Sequence, residues 1–397
     1  VSDPRQNNNE ALTMQTQALS ADAQAGPAVT PDDKLRVMIV DDSMLIRTIV
    51  GGWLRQAPDL ELVASHSNGR KAVDDVASTR PDVVVLDLEM PEMDGLTALP
   101  LILERSPGTI VLVASSLTRR GAEISLRALT RGAADYLAKP EAVQGQSGAE
   151  PFREELLTKI RALGRRSRVA PAARRSERKV AAVAAPVAAA RARPPVKLQP
   201  YRPGPVSVLV IGSSTGGPQA LNKLFTAIGP GIGHVPVLVT QHMPPTFTAI
   251  LAEHLARAAG RPAAEGQHGE PLRPGQIYVA PGGRHMSIAG PAGAPTIQLN
   301  DDPPVNFCRP AVDVLFDAAS AVFRSAVLGV VLTGMGADGA RGATTIAGGG
   351  GNVLAQDEAT SVVWGMPGAV AAAGAACEIL PIDEIGPKVT RLLGGRK

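Results

Sequence analysis

The sequence predicts an α/β protein built from two doubly wound parallel-sheet domains. Three observations carry that expectation. Short β-branched runs alternate with helical patterns in two separate blocks. The runs are almost continuously apolar, as strands buried on both faces are. Between the blocks lies a stretch of Ala, Pro and Arg in which no amphipathic period survives. A length of 397 residues is also more than one core usually serves. Aromatics make up only 3% of the chain, so its cores should consist mainly of Val, Leu, Ile and Ala.

Residues 1–34 are polar and Gln/Asn-rich, without the basic start and apolar run of a signal peptide, and read as a disordered tail. Residues 35–163 form the first block. Its expected strands are Arg36–Val40, Leu60–Ala64, Val83–Asp87, Ile110–Ala114 and Ala134–Leu137, with helical stretches between them. Residues 164–205 read as a linker that its prolines keep from becoming one long helix. Residues 206–393 form the second block. Strands are expected at Val206–Ile211, Val235–Thr240, Gln276–Ala280 and Val327–Thr333, and helices at Pro218–Ile228, Thr246–Arg257, Pro310–Arg324 and Ala337–Ala347.

Composition narrows the function classes. Two cysteines, Cys308 and Cys377, make no disulfide framework and suit a reducing cytoplasm. No apolar run is long enough to insert in a membrane. Eleven Lys/Arg against one acid between Arg161 and Lys197 give a local charge of +10 on a chain of +3. That run reads as a solvated linker extended by self-repulsion rather than as a nucleic-acid surface. The second block also has no helix-turn-helix pattern, so no nucleic-acid partner is expected.

In open parallel sheets, sites form at the carboxyl ends of the strands. In the first block that rule gathers Asp41 and Asp42, Asp87, Ser115 or Ser116, and Lys139 of Lys139-Pro140. Clustered carboxylates repel unless a cation neutralises them, and oxygen-only ligands favour Mg²⁺. Asp87 would attack phosphorus while Lys139 and a serine hydroxyl held the phosphoryl oxygens. Val40-Asp41-Asp42-Ser43, the run from Leu86 to Gly95 and Ala138-Lys139-Pro140 resemble a response-regulator receiver domain, of flavodoxin-like fold. The resemblance implies Asp87 as phosphoacceptor, Asp41, Asp42 and Asp87 with the Glu89 carbonyl as the Mg²⁺ site, and Ser115, Tyr136 and Lys139 as the switch residues. It also implies a histidine kinase as phosphodonor.

In the second block, Gly212-Ser213-Ser214-Thr215-Gly216-Gly217-Pro218 follows a strand and opens a helix. Such turns cradle phosphate or present a serine nucleophile. The segment matches neither GxGxxG nor GxxxxGK[ST], so the phosphate reading lacks its usual partners, while the serine reading needs a base and an orienting acid. His242 ends the next strand, and Asp338 follows a later one. Ser214, His242 and Asp338 therefore share one sheet edge, as a Ser-His-Asp relay requires. Backbone amides near Gly334–Gly336 would supply oxyanion donors. Of six histidines only His285, after a Gly-rich turn, competes with His242. No two histidines have ligand spacing on one helix, so zinc is not expected.

Ile211–Gly217, Thr240–Pro245, Ile277–Gly282, Asp302–Asn306, Arg309–Phe316, Leu332–Gly339 and Ala355–Thr360 resemble the catalytic domain of the CheB family of chemotaxis methylesterases. The resemblance implies a Rossmann-like fold, the triad Ser214, His242 and Asp338, and the Met335 backbone as oxyanion donor. Thr215 and Arg309 match positions near the family's site. It further implies hydrolysis of glutamyl methyl esters on chemoreceptors with methanol release, deamidation of certain glutamines, no cofactor for the hydrolysis, and control by a receiver that covers the active site until phosphorylated. A non-catalytic, phosphorylation-gated adaptor or phosphate sink is the competing expectation. The Arg/Ala/Pro linker is long for the family, which lowers the effective concentration of one domain near the other.

Overall fold

A computed structural model describes residues 33–139, 146–178 and 197–394. The tail over residues 1–32, Pro140, and the middle of the expected linker lie outside the described residues. In the first block the strands are β1 (Leu35–Val40), β2 (Leu60–His66), β3 (Val83–Asp87), β4 (Ile110–Ser116) and β5 (Asp135–Lys139). All pair in parallel, in the order β2-β1-β3-β4-β5. The reversal of direction falls between β1 and β3, which makes their carboxyl ends the place for a ligand.

Helices α1 (Met44–Gln56), α2 (Gly69–Thr79), α3 (Gly95–Arg105) and α4 (Arg119–Thr130) connect these strands. Each starts on a capping side chain. Ser43, Asn68, Asp94 and Thr118 accept the amides of Ile46, Lys71, Thr97 and Gly121. Helix α5 runs from Gln146 to Arg178, well into the segment expected to be linker. Ala and Arg are strong helix formers, and an already nucleated helix extends at little further cost. The expectation that proline would stop it fails at Pro171.

The second block carries a seven-stranded parallel sheet in the order β14-β13-β12-β6-β7-β9-β8. Its strands are β6 (Val208–Ser213), β7 (Val237–Gln241), β8 (Ala263–Glu265), β9 (Ile277–Val279), β12 (Val327–Val331), β13 (Asn352–Gln356) and β14 (Glu378–Leu380). A separate antiparallel hairpin joins β10 (His285–Ala289) to β11 (Thr296–Asn300). Helices α6 (Gly217–Ile228), α7 (Phe247–Ala259), α8 (Val312–Phe323), α9 (Ala340–Gly348), α10 (Met366–Ala372) and α11 (Ile382–Leu393) complete it. The chain winds one way from β6 and the other way from β12, so the switch point lies between those two strands.

Residues 197–205, also expected as linker, lie against this second unit. The Gln199 amide donates to the Ala376 carbonyl at 2.9 Å, and Asn352 exchanges hydrogen bonds with the Arg202 backbone at 2.8 and 2.9 Å. The two units meet where α4 packs on α6 and α7. Tyr136 stacks on Phe247, ring centroids 4.8 Å apart, and Lys159 Nζ lies 5.1 Å from the same tyrosine ring. Arg119 pairs with Glu253 at 2.7 Å, and the Gln219 amide donates to the carbonyls of Leu129 and Ala133.

Candidate functional sites

At the first switch point, β1 delivers Asp41 and β3 ends on Asp87, both buried, while Asp42 beside them is exposed. One carboxylate oxygen from each lies within 4.8 Å of the others. Lys139, from the end of β5, reaches 2.7 Å from Asp41 Oδ2 and 2.7 Å from Asp87 Oδ2. Burial pushes the Asp87 carboxyl above its usual range, more than the Lys139 ammonium pulls it down. An oxygen-only set with an excess of acids and one exposed member fits a hydrated Mg²⁺.

The Glu89 amide points at Asp87 Oδ1, 3.4 Å away, which places the Glu89 backbone beside the acids. Its side chain turns outward to Arg120. Ser115 ends buried, its hydroxyl 2.5 Å from that of Ser125, whereas Ser116 is half-buried and engages Thr118. Tyr136 points away from the acids toward the second unit and Phe247.

At the second switch point, parallel register pairs Ser213 with Gln241 on β6 and β7. Ser214 and His242 each stand one residue beyond that pair, and the His242 amide donates to the Ser213 carbonyl at 3.2 Å. The two serines are told apart by their surroundings. Ser213 is fully buried and donates to Gln241 Oε1 at 2.7 Å. Ser214 is half-buried, and among the described residues its hydroxyl has no hydrogen-bond partner. Two glycines allow that exposure. Gly216 turns the chain with φ +74°, where a Cβ would lie 2.4 Å from Val362. A Cβ on Gly334 would come 2.9 Å from that of Ser214.

Asp338 comes from the loop after β12, on the other side of β6 from His242. Its Oδ2 meets His242 Nε2 at 2.8 Å, so the pair bridges the strand that carries Ser214. Asp338 is 2% exposed and yet stays ionised. Burial alone would raise its pKa, but His242, the Val312 amide and the Asn306 side chain hold it below the usual carboxylate value. Helix α8 explains the amides. Its N-cap residue is Ala311, which has no side-chain oxygen to cap it. Asp338 supplies the cap from elsewhere in the chain, accepting the amides of Val312 at 2.6 Å and Asp313 at 3.1 Å. The Asn306 Nδ2 donates to Asp338 Oδ1 at 2.9 Å and to the buried Asp313 at 3.0 Å.

With its proton directed to Asp338 through Nε2, the His242 ring presents its Nδ1 lone pair, and Cys308 Sγ lies 3.4 Å from it. Burial favours neutral imidazole, but Asp338 and Cys308 outweigh it and push the His242 pKa up to about 9. The Met335 amide, directly after Gly334, has no acceptor among the described residues and stands at the same edge. Thr215 is buried, its carbonyl accepting from the Thr333 hydroxyl at 2.9 Å. Arg309 braces the loop before α8 through the carbonyls of Asp301 and Asp302. His285 is 1% exposed with both ring nitrogens engaged, by the Pro303 carbonyl and the Ala311 amide, which removes it as a rival base. A half-buried hydroxyl, an imidazole oriented by a buried carboxylate and a free backbone donor are the parts of acyl-transfer chemistry.

Asn306, Asp313 and Cys308 were not singled out from the sequence. Asn306 and Asp313 lie within the stretches Asp302–Asn306 and Arg309–Phe316, but nothing in their spacing says that both would close on Asp338.

Comparison with known proteins matches residues 209–389 to the CheB methylesterase family and residues 37–145 to the response regulator receiver domain. A protein-glutamate methylesterase/protein-glutamine glutaminase from Rhodopseudomonas palustris (strain HaA2) is 52% identical, with 93% of this chain and 97% of that protein covered. The counterpart of the group 2 operon in Rhodopseudomonas palustris (strain ATCC BAA-98 / CGA009) is 53% identical, over 91% of this chain and 95% of the relative. The crystal structure of the Thermotoga maritima CheB methylesterase catalytic domain is 38% identical over 47% of this chain and 98% of that one, with a TM-score of 0.46.

Proposed function

This chain belongs to the CheB methylesterase family, and we propose that it hydrolyses glutamyl methyl esters on chemoreceptors, and deamidates glutamines there, under control of phosphorylation at Asp87. The observation that carries the reading is the His242–Asp338 pair, 2.8 Å long, bridging the strand that carries Ser214. A non-catalytic adaptor would need neither the buried carboxylate nor its five donors.

Each residue takes the role its surroundings allow. Ser214 Oγ attacks the ester carbonyl, and His242 Nδ1 takes its proton once the Cys308 contact gives way. The developing oxyanion meets the Met335 amide. His242 returns the proton to the leaving methanol, water repeats the sequence on the acyl-enzyme, and glutamate is released. Asp338 keeps the ring proton on Nε2 throughout and stabilises the imidazolium.

In the receiver, Asp41, Asp42, Asp87 and the Glu89 carbonyl would hold Mg²⁺, which supplies charge neutralisation for a phosphoryl group on Asp87. A histidine kinase is the phosphodonor. Lys139, now bonded to Asp41 and Asp87, and the Ser115 hydroxyl, now on Ser125, would shift to the phosphoryl oxygens. Tyr136 carries that shift to Phe247 on α7, the helix that begins just after the His242 turn. On this reading the enzyme works in the cytoplasm, beside the receptors' cytoplasmic helices. Among the described residues no helix is long and apolar enough to cross a membrane.

The test is methanol release from methylated receptor membranes by the full chain, with and without acetyl phosphate and Mg²⁺. Release should rise with phosphodonor in the wild type and stay at the basal level in Asp87→Ala. A phosphodonor response that survives in Asp87→Ala would overturn the assignment of the phosphoacceptor.

A second prediction concerns Phe307, a large apolar side chain wholly exposed beside the site. Its φ is +62°, and its neighbours are pinned, Asn306 to Asp338 and Cys308 to His242. A rigidly presented apolar ring at the mouth of the site suits contact with a receptor helix. Phe307→Ala should raise KM for methylated receptor by about tenfold, the usual scale for one buried aromatic contact, while turnover of a small glutamate methyl ester stays unchanged. Equal loss on both substrates would mean a structural role instead.

A further inference from the structure

Cys308 touches the base of the proposed relay but forms and breaks no bond in the hydrolysis. It reaches the His242 ring from the loop between β11 and α8, half-buried, with Sγ 3.4 Å from Nδ1. Asp338 occupies the opposite nitrogen, Nε2, at 2.8 Å. Because Asp338 also accepts from Val312, Asp313, Gly339 and Asn306, it is a carboxylate without a proton to give, and the ring proton belongs on Nε2. The Nδ1 lone pair therefore faces sulfur.

A histidine that ligates a metal nearly always donates its other ring N–H to a carboxylate or carbonyl, and that arrangement is already built here. The spacing also fits. With Zn–S about 2.3 Å and Zn–N about 2.0 Å in a tetrahedron, sulfur and nitrogen sit roughly 3.5 Å apart. Cys308 Sγ, a His242 ring nitrogen and an Asp338 oxygen all lie within 4.8 Å of one another. Thiolate with imidazole selects zinc-class ions over Mg²⁺.

We propose that Cys308 and His242 form a two-residue inhibitory site for Zn²⁺ or a similarly soft divalent cation, with water in the remaining positions and Asp338 orienting the imidazole from behind. On binding, the Cys308 thiol loses its proton to solvent, and metal–sulfur and metal–nitrogen bonds form without any change in oxidation state. The inhibition rests on the hydrolytic reading above, because the metal occupies the lone pair that would take the Ser214 proton. Histidine spacing along the sequence gave no sign of such a site, since its two ligands, one of them a cysteine, come from separate loops.

Co²⁺ is the probe. Titrated into the full-length protein, it should give a thiolate-to-cobalt charge-transfer band in the wild type and in Ser214→Ala, and none in Cys308→Ala. Co²⁺ on the receiver acids has only oxygen ligands and gives no such band. The other thiol, Cys377, is buried, and burial pushes its pKa up to about 11, so it stays protonated. Zn²⁺ should erase the band and, with acetyl phosphate and excess Mg²⁺ held constant, stop methanol release from receptor membranes until a chelator is added. No band in the wild type, or an equal band in Cys308→Ala, overturns the site. A Cys308-dependent band with hydrolysis untouched by Zn²⁺ leaves the metal site standing and overturns both the inhibition and Nδ1 as the base.

Discussion

Ser214→Ala is expected to lower methanol release by about 10⁴-fold or more, the scale on which a relay nucleophile is lost, whereas Ser213→Ala should retain most activity. The contrast follows from the two hydroxyls. Ser213 is fully buried and spends its proton on Gln241 Oε1 at 2.7 Å. The same Gln241 side chain donates to the Ser214 carbonyl at 2.9 Å. Removing the Ser213 hydroxyl thus costs one internal hydrogen bond, about 1 kcal/mol of stability, and loosens the turn without touching the reaction. Ser214 is half-buried, whereas the other two hydroxyl residues of that turn, Ser213 and Thr215, are buried. Both variants would be assayed on methylated receptor membranes with phosphodonor, beside a thermal melt to show that each is folded. Full activity in Ser214→Ala would remove the covalent mechanism and revive the adaptor reading.

The placement of those side chains was legible because topology does most of the work. Once strands alternate with helices in parallel, residues at or just beyond the strands' carboxyl ends share an edge; Ser214 and His242 stand one residue past β6 and β7, and Asp338 lies in the loop that follows β12. The buried run Val83–Asp87 coincides with expectation at both ends, whereas the buried strands β6, β7 and β12 start or stop one or two residues from it and the buried Asn352–Gln356 was not expected as a strand. Shorter strands did not announce themselves. Glu378–Leu380 is only half-buried, and Ala263–Glu265 is three residues of weak pattern at the sheet edge. The hairpin of β10 and β11 alternates buried with half-buried residues across glycine-rich flanks, which reads as loop in a linear scan.

Contacts between distant segments were the other blind spot. Asp338 capping α8 from beyond β12, Cys308 on His242, and Tyr136 on Phe247 depend on how loops close over the sheet, and no local period encodes that. The linker failed for a different reason. Its Ala and Arg content reads as low complexity, but the same residues propagate a helix once amphipathic packing has started one, and α5 runs on to Arg178.

Asp338→Asn should also be nearly inactive, down by about 10⁴-fold, because a neutral amide reverses the tautomer. The substituted side chain would present either an oxygen or an NH₂ to His242, but its amide group also faces the Val312, Asp313 and Gly339 amides and the Asn306 Nδ2, all of them donors. Asp313, Gly339 and Asn306 all donate to Oδ1, so the oxygen is drawn to them and the NH₂ turns to Nε2, at the cost of the Val312 amide that shares Oδ2. The ring proton then moves to Nδ1, where a base must be empty. The pH dependence separates this from simple unfolding. In the wild type, His242 is pushed up to about 9, burial opposing and Asp338 and Cys308 prevailing. The neutral ring is the active form, so kcat/KM should climb with pH through the range above 6.5 toward about 9. Loss of the carboxylate removes an attraction for the protonated ring, so the rising limb in Asp338→Asn should move to lower pH while its plateau falls. Cys308→Ala should move the limb the same way. The linked stability term has the matching sign. A His242 pKa raised on folding stabilises the native state fully below 6.5, and that contribution fades as pH rises through about 9. A rising limb that stays in place in Asp338→Asn would mean that Asp338 acts on the fold of α8 and not on the base.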